Sequence, residues 1–238
     1  MSGVRIFCNS VIPVDSWDHD FVVVPSRLVS DIPLPTLVSF DLFNPLDNSG
    51  NGNTVTKAGG IIKPLGGLGF TRAGKGSTTD FIANTDAISV LCAVKPESVG
   101  EFSTFLDCRN LTPGEGSGFA VDFSSTESVI RLQVIYPSGN SVAYPFPTFV
   151  AGEWNVLCIT LSAAAMRGEN QHGEIIANDF TGAINLTRWT QSLLLGQGVS
   201  GGTCDGSVGF VAVYDGILTP TQRKEAIQTG LAVITSRI

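Results

Sequence analysis

An extended chain sends successive side chains to opposite faces, so a strand with one wet face alternates apolar with polar residues. The stretch Trp154 to Leu161 does not alternate in this way. Trp154, Val156 and Cys158 fall on one side, and Leu157, Ile159 and Leu161 on the other. Val208 to Tyr214 is likewise apolar or glycine on both faces, and Leu91 opposes Val90 and Cys92. Such runs are too short for a membrane-spanning helix, which needs roughly 20 apolar residues. They have the length of buried strands, and both of their faces need cover.

From Leu37 onward the chain keeps to strand-length segments. Apolar runs are separated by clusters of Gly, Asn, Ser and Pro, as in an all-β sandwich. Strands are expected at 37–43, 68–71, 79–83, 87–95, 102–108, 118–123, 129–136, 142–146, 154–162, 173–178, 192–196 and 207–215. Loops are expected at 47–53, 113–118 and 196–206, and Arg167 to Gly173 reads as a polar turn. One helix is signalled, with Thr219 as N-cap, Pro220 in the first turn and Gln222 completing a capping box. It should run through Ile227 and stop at Gly230. A length of 238 residues suits one such domain, with a core that needs neither disulfide nor metal.

Residues 1–35 differ from the sandwich at 36–238. Pro13, Pro25, Pro33 and Pro35 block long helices and central strands, so this segment reads as an extended N-terminal arm. Its apolar residues Val11, Ile12, Trp17, Phe21 and Val23 are the candidate assembly contacts. Only 15% of the chain is charged, against about a quarter in an average soluble domain. A chain this poor in charge hides more surface than its own fold requires. The arm, the terminal helix and another subunit are the candidate covers.

The net charge of −7 argues against nucleic acid, and the 14 Lys and Arg nowhere form a run of three. Cys8, Cys92, Cys108, Cys158 and Cys204 contain no CxxC pair and read as free, buried thiols. No signal-peptide apolar stretch precedes Asp15, so synthesis in a reducing cytosol is expected.

No catalytic, cofactor or metal residue is assigned. Glu115, Glu127, Glu153, Glu169 and Glu174 all read as lying in or beside turns, without the spacing of a paired-carboxylate glycosidase strand. His172 sits in the polar turn, and His19 among Asp15, Asp18 and Asp20 reads as a solvated kink of the arm. Sugar binding needs exposed aromatics beside Asn, Asp or Gly loops. Loops 137–147 and 197–206 have that composition, which makes Tyr144, Phe146 and Asn140 the candidate glycan-binding residues. The same two aromatics also suit a core or a subunit contact.

Four stretches carry a resemblance. They are Leu37 to Phe43 with the loop Asp47 to Asn53, then Thr79 to Ile82 with Ala87 to Pro96, then Gly152 to Thr160, and finally Leu193 to Gly196 with Asp205 to Thr219. In order and spacing they resemble the laminin G-like, concanavalin A-like lectin/glucanase superfamily. Ile175 to Phe180 departs from the family's "NG" turn, and no calcium ligands of the family transfer. The resemblance implies a jelly-roll β-sandwich, a fold that hosts lectins, glycosidases and virion components alike. The leading expectation is a non-enzymatic virion structural protein, a capsid decoration or tail/fibre component made in the host cytoplasm. It would act as a homo-oligomer with other virion structural proteins, without nucleic acid or membrane insertion. The alternative is a carbohydrate-binding lectin module for surface glycans.

Overall fold

The four longest stretches of the resemblance form strands that lie side by side. A computed structural model describes residues 32, 34–42, 46–56, 61–63, 67–71, 76–83, 85–97, 102–146, 148, 150–180 and 191–236. In chain order its first strands are β1 (Thr36–Asp41), β2 (Leu46–Asp47), β3 (Val55–Thr56), β4 (Ile61–Lys63), β5 (Gly67–Phe70), β6 (Ser77–Thr79), β7 (Ala87–Pro96) and β8 (Ser103–Asp107). There follow β9 (Phe119–Ser124), β10 (Val129–Ile135), β11 (Ser141–Phe146), β12 (Asn155–Ser162), β13 (Ala165–Asn170), β14 (Ile175–Asp179), β15 (Leu194–Leu195), β16 (Gly206–Asp215) and the helix α1 (Pro220–Thr235). One sheet runs β14-β13-β12-β7-β16-β1-β2, with β5 also on β16 and β4 beyond β5. The other runs β11-β10-β9-β8-β15-β6-β3. Every pairing is antiparallel, and the expected all-β sandwich with one C-terminal helix is the observed fold.

The main core fills the space between the sheets. Val90, Cys92, Leu157, Ile159 and Leu161 meet Phe105, Phe119, Val121, Phe123, Leu132 and Val134 from the opposite sheet. In β16 a bulge resets the alternation: Val208 pairs with Val94 and Phe210 with Ala93, leaving Gly209 as the extra residue. Val208, Val211 and Val213 therefore face this core, whereas Phe210, Ala212 and Tyr214 face away from it. A Cβ on Gly67 would lie 2.8 Å from the Gly209 Cα, so β5 reaches the bulge only because it offers glycine there.

A second cluster lies on the other side of the nine-stranded sheet. Leu91, Ala93, Val156, Cys158, Phe210, Ala212 and Tyr214 are covered by Leu218 and by Ala226, Ile227, Val233 and Ile234 of α1. Trp154, Ile32 and Leu34 pack at its margin. The terminal helix of the same chain is thus the cover over this face. Val11, Ile12, Trp17, Phe21 and Val23 lie outside the described residues.

The capping box forms as read, with Gln222 N–H donating to Thr219 Oγ1 and the Gln222 side chain accepting from the Thr219 N–H. Gly230 does not stop the helix, which continues to Thr235. A Cβ there would stand 2.8 Å from Phe210 Cζ and 2.9 Å from Val156 Cγ1, so glycine at 230 serves close helix–sheet approach rather than termination. Arg167 to Asn170 is corrected from turn to strand β13, paired with β12 and β14. Glu169 is accordingly buried, with Arg223 Nε of α1 3.6 Å from its Oε2. Cys92, Cys108 and Cys158 are free and buried, and Cys204 is buried. Burial pushes the Cys158 thiol up to about 12.

Candidate functional site

The outer face of the seven-stranded sheet is polar where that of its partner is apolar. In β9, Phe119, Val121 and Phe123 enter the core, so alternation turns Ala120, Asp122 and Ser124 outward. In β10, Ile130, Leu132 and Val134 enter the core and send Arg131 and Gln133 outward. The neighbouring β8 joins this face through a bulge. Thr104 pairs with Asp122 and Leu106 with Val121, so Phe105 and Leu106 both face the core. Thr104 and Asp107, three residues apart, then share the outer face, where a regular strand would separate them. Two rows result: Thr104, Asp122, Arg131 and Pro145, and beside it Asp107, Ala120, Gln133 and Ala143.

These side chains form one hydrogen-bonded circuit. Arg109 grips Asp107 through both carboxylate oxygens, Nε to Oδ1 at 2.9 Å and Nη2 to Oδ2 at 2.6 Å. Its Nη1 donates to Gln133 Oε1 at 2.5 Å, across the small Ala120 that separates Asp107 from Gln133. Gln133 Nε2 donates in turn to Asp122 Oδ2. Arg131 Nε donates to Asp122 Oδ1 at 2.9 Å, and its Nη1 to Glu127 Oε2 at 3.3 Å. Burial raises the Asp122 carboxyl above its ordinary range, despite the opposing pull of Arg131. Burial also disfavours charge on Arg109, but Asp107 and Asp122 outweigh it and hold the guanidinium protonated.

The inner members of the circuit are buried, and its edge is exposed. The Asp107 and Asp122 side chains are 0% exposed, Arg131 is 17% and Glu127 54%. Phe102, 40% exposed, lies with its ring centroid 5.6 Å from the Arg131 guanidinium carbon. Beside them a glycine-rich loop is pinned to β8: Val199 N–H donates to Asp107 Oδ2 at 3.0 Å, and Thr104 N–H to the Thr203 carbonyl at 3.1 Å. Within it, Gly198 N–H donates to the Gly202 carbonyl at 2.7 Å. A Cβ on Gly202 would stand 3.2 Å from Thr104 Oγ1 and 3.9 Å from Phe102 Cε1, so loop, hydroxyl and ring share one corner. Thr104 Oγ1 is buried there without a hydrogen-bond partner. The corner therefore sets a fixed loop beside an exposed aromatic ring and the partly exposed Arg131.

The residues expected from sequence lie elsewhere. Phe146, 1% exposed, belongs to the core, because its partner Ile130 faces inward. Tyr144 has the same parity and is half-buried at the sandwich edge, its hydroxyl accepting from Asn178 Nδ2 at 2.9 Å. Burial and Tyr136 push its phenol up to about 12. An aromatic platform of Tyr144 with Phe146 is thus corrected: neither ring stands open on the outer face of β11. Asn140 is exposed in the β10–β11 turn, where its carbonyl accepts from Tyr136 N–H at 2.9 Å. Of the two loops chosen by composition, 197–206 does border the circuit. Sequence reasoning missed Phe102, Thr104, Asp107, Arg109, Asp122, Arg131 and Gln133. The available signal was charge at alternate positions inside expected strands, as in Asp122 between Val121 and Phe123. His172 lies exposed in the β13–β14 turn. Among the described residues, no three His, Cys, Asp or Glu side chains gather to hold a metal ion.

No protein-family model matches the chain, and no curated protein matches it in sequence. Solved structures do match in fold. One is domain 4 of AbnA, a GH43 extracellular arabinanase from Geobacillus stearothermophilus, determined in complex with arabinotriose. It has 18% identity and a TM-score of 0.58, over 82% of this chain and 99% of that one. Another is the botulinum neurotoxin serotype D ligand binding domain in complex with N-acetylneuraminic acid, at 12% identity and a TM-score of 0.63. That match covers 82% of this chain and 50% of the other. The receptor binding domain of the botulinum C/D mosaic serotype matches at 11% identity and a TM-score of 0.64, over 82% of this chain. This chain spans about half the length of both toxin domains. At such identities the likeness shows the fold alone, a two-sheet β-sandwich.

Proposed function

We propose that the chain is a non-catalytic carbohydrate-binding domain, its ligand resting on the outer face of the seven-stranded sheet between Phe102, Arg131 and the 197–203 loop. One observation carries this reading: a preorganised polar circuit reaches the surface at an exposed aromatic ring and the Arg131–Glu127 pair, on the sheet opposite the one α1 covers. Sugars present hydroxyls that donate and accept, together with apolar C–H faces that rest on aromatic rings, and this corner supplies both complements. The neighbours solved with arabinotriose and with N-acetylneuraminic acid support the same reading at the level of fold.

The commitment of the two buried carboxylates supports binding without hydrolysis. Hydrolysis needs two carboxyl groups free to flank the scissile bond. Here both oxygens of Asp107 are taken by Arg109, and those of Asp122 by Arg131 and Gln133. The virion-assembly expectation drew its motive from surplus apolar area, and α1 covers that area on the nine-stranded sheet.

A glycan array followed by calorimetry on its hits tests the proposal. Phe102→Ala and Arg131→Ala are each expected to weaken binding about tenfold, the scale of one aromatic or charge-assisted contact. Tyr144→Ala should leave affinity within about twofold, because that ring closes the sandwich edge. A flat array, or affinity lost with Tyr144 and kept without Phe102, contradicts the proposal.

A further inference from the structure

Resting on that glycan-binding reading, we infer that the site takes neutral sugars and discriminates against acidic ones. Charge and prior commitment both disfavour an acidic ligand. Asp107, Asp122 and Glu127 stand against Arg109 and Arg131, so carboxylates outnumber guanidinium groups in the circuit. Each guanidinium already has its anion. Arg109 is gripped by Asp107 and tied to Gln133, and Arg131 lies between Asp122 and Glu127.

A sugar carboxylate seeking Arg131 would have to displace Glu127 and then remain beside it. Like charges set side by side at an interface are costly. The net charge of −7 adds a repulsion that salt screens. A neutral sugar meets no such penalty. Its hydroxyls can donate to Glu127, which is 54% exposed. Its C–H face can rest on Phe102. Glu127, held on the guanidinium that lies over Phe102, is therefore the gatekeeper of charge selectivity.

The test is an array carrying the same oligosaccharide cores in neutral form and in sialylated or uronic-acid form, with calorimetry on matched pairs. Wild-type protein is expected to bind neutral members at least about tenfold more tightly. Glu127→Gln, at an exposed position that folding tolerates, should narrow that ratio about fivefold. Phe102→Ala should weaken both classes alike. Equal or tighter binding of acidic members by the wild type overturns the inference and leaves the glycan reading standing. A ratio that Glu127→Gln does not move also overturns it, because selectivity then has another cause. Binding to neither class removes the glycan reading itself, and the inference with it.

Discussion

Ending the chain at Gly216, so that Leu218 and α1 are absent, is expected to yield protein that aggregates or fails to fold. Leu91, Ala93, Val156, Cys158, Phe210, Ala212 and Tyr214 would then form one exposed apolar face on the central strands of a sheet. Four large aliphatic side chains leave with the segment: Leu218, Ile227, Val233 and Ile234, each at most 4% exposed. At roughly 1.5–3 kcal/mol for each fully buried side chain, their loss costs about 6–12 kcal/mol. That is comparable to the whole stability of a typical domain, about 5–15 kcal/mol. Circular dichroism and size-exclusion chromatography provide the readout. A truncated chain that stays monomeric and melts at the wild-type temperature would show that the helix is not the cover described here.

Glu169→Ala is expected to destabilise the fold by about 3–5 kcal/mol, measured by urea unfolding. Glu169 on β13 and Arg223 on α1 are 2% and 7% exposed, and neither Glu169 Oε2 nor Arg223 Nε has a hydrogen-bond partner. Removing one charge strands the other in a place that water does not reach. Replacing both, as Glu169→Leu with Arg223→Met, should recover most of the loss, because two apolar groups need no partner. A single substitution costing less than about 1 kcal/mol would mean that the pair is solvated.

How much of this was legible in the sequence depended on what each strand had to bury. β7, β12 and β16 are apolar on both faces because one face meets the opposite sheet and the other meets α1, so two-sided apolarity marked them directly. β13 was misread because its residues Arg167 to Asn170 have the composition of a turn. Its buried charge is matched by a residue far along the chain, and Gly168 is there because a Cβ would lie 2.7 Å from Phe146 Cζ. The site was illegible for a different reason. Thr104 and Asp107 share a face only through the bulge at Phe105, and a simple period-two reading separates them. Tyr144 and Phe146 drew attention as aromatics in a polar loop, yet both have inward parity set by Leu132 and Ile130 across the ladder. The exposed aromatic, Phe102, stands just before β8 and gained its meaning from Arg131, a distant residue in sequence.

The proposed division between a sheet sealed by its own helix and a sheet that receives a ligand is tested most directly by amide hydrogen exchange, with and without a sugar that the array selects. Slowed exchange should concentrate in Ser103–Asp107, Phe119–Ser124, Val129–Ile135 and 197–203, with Pro220–Thr235 and Asn155–Ser162 unchanged. Protection that instead falls on α1 and the strands beneath it, with the polar face unaffected, would contradict the account.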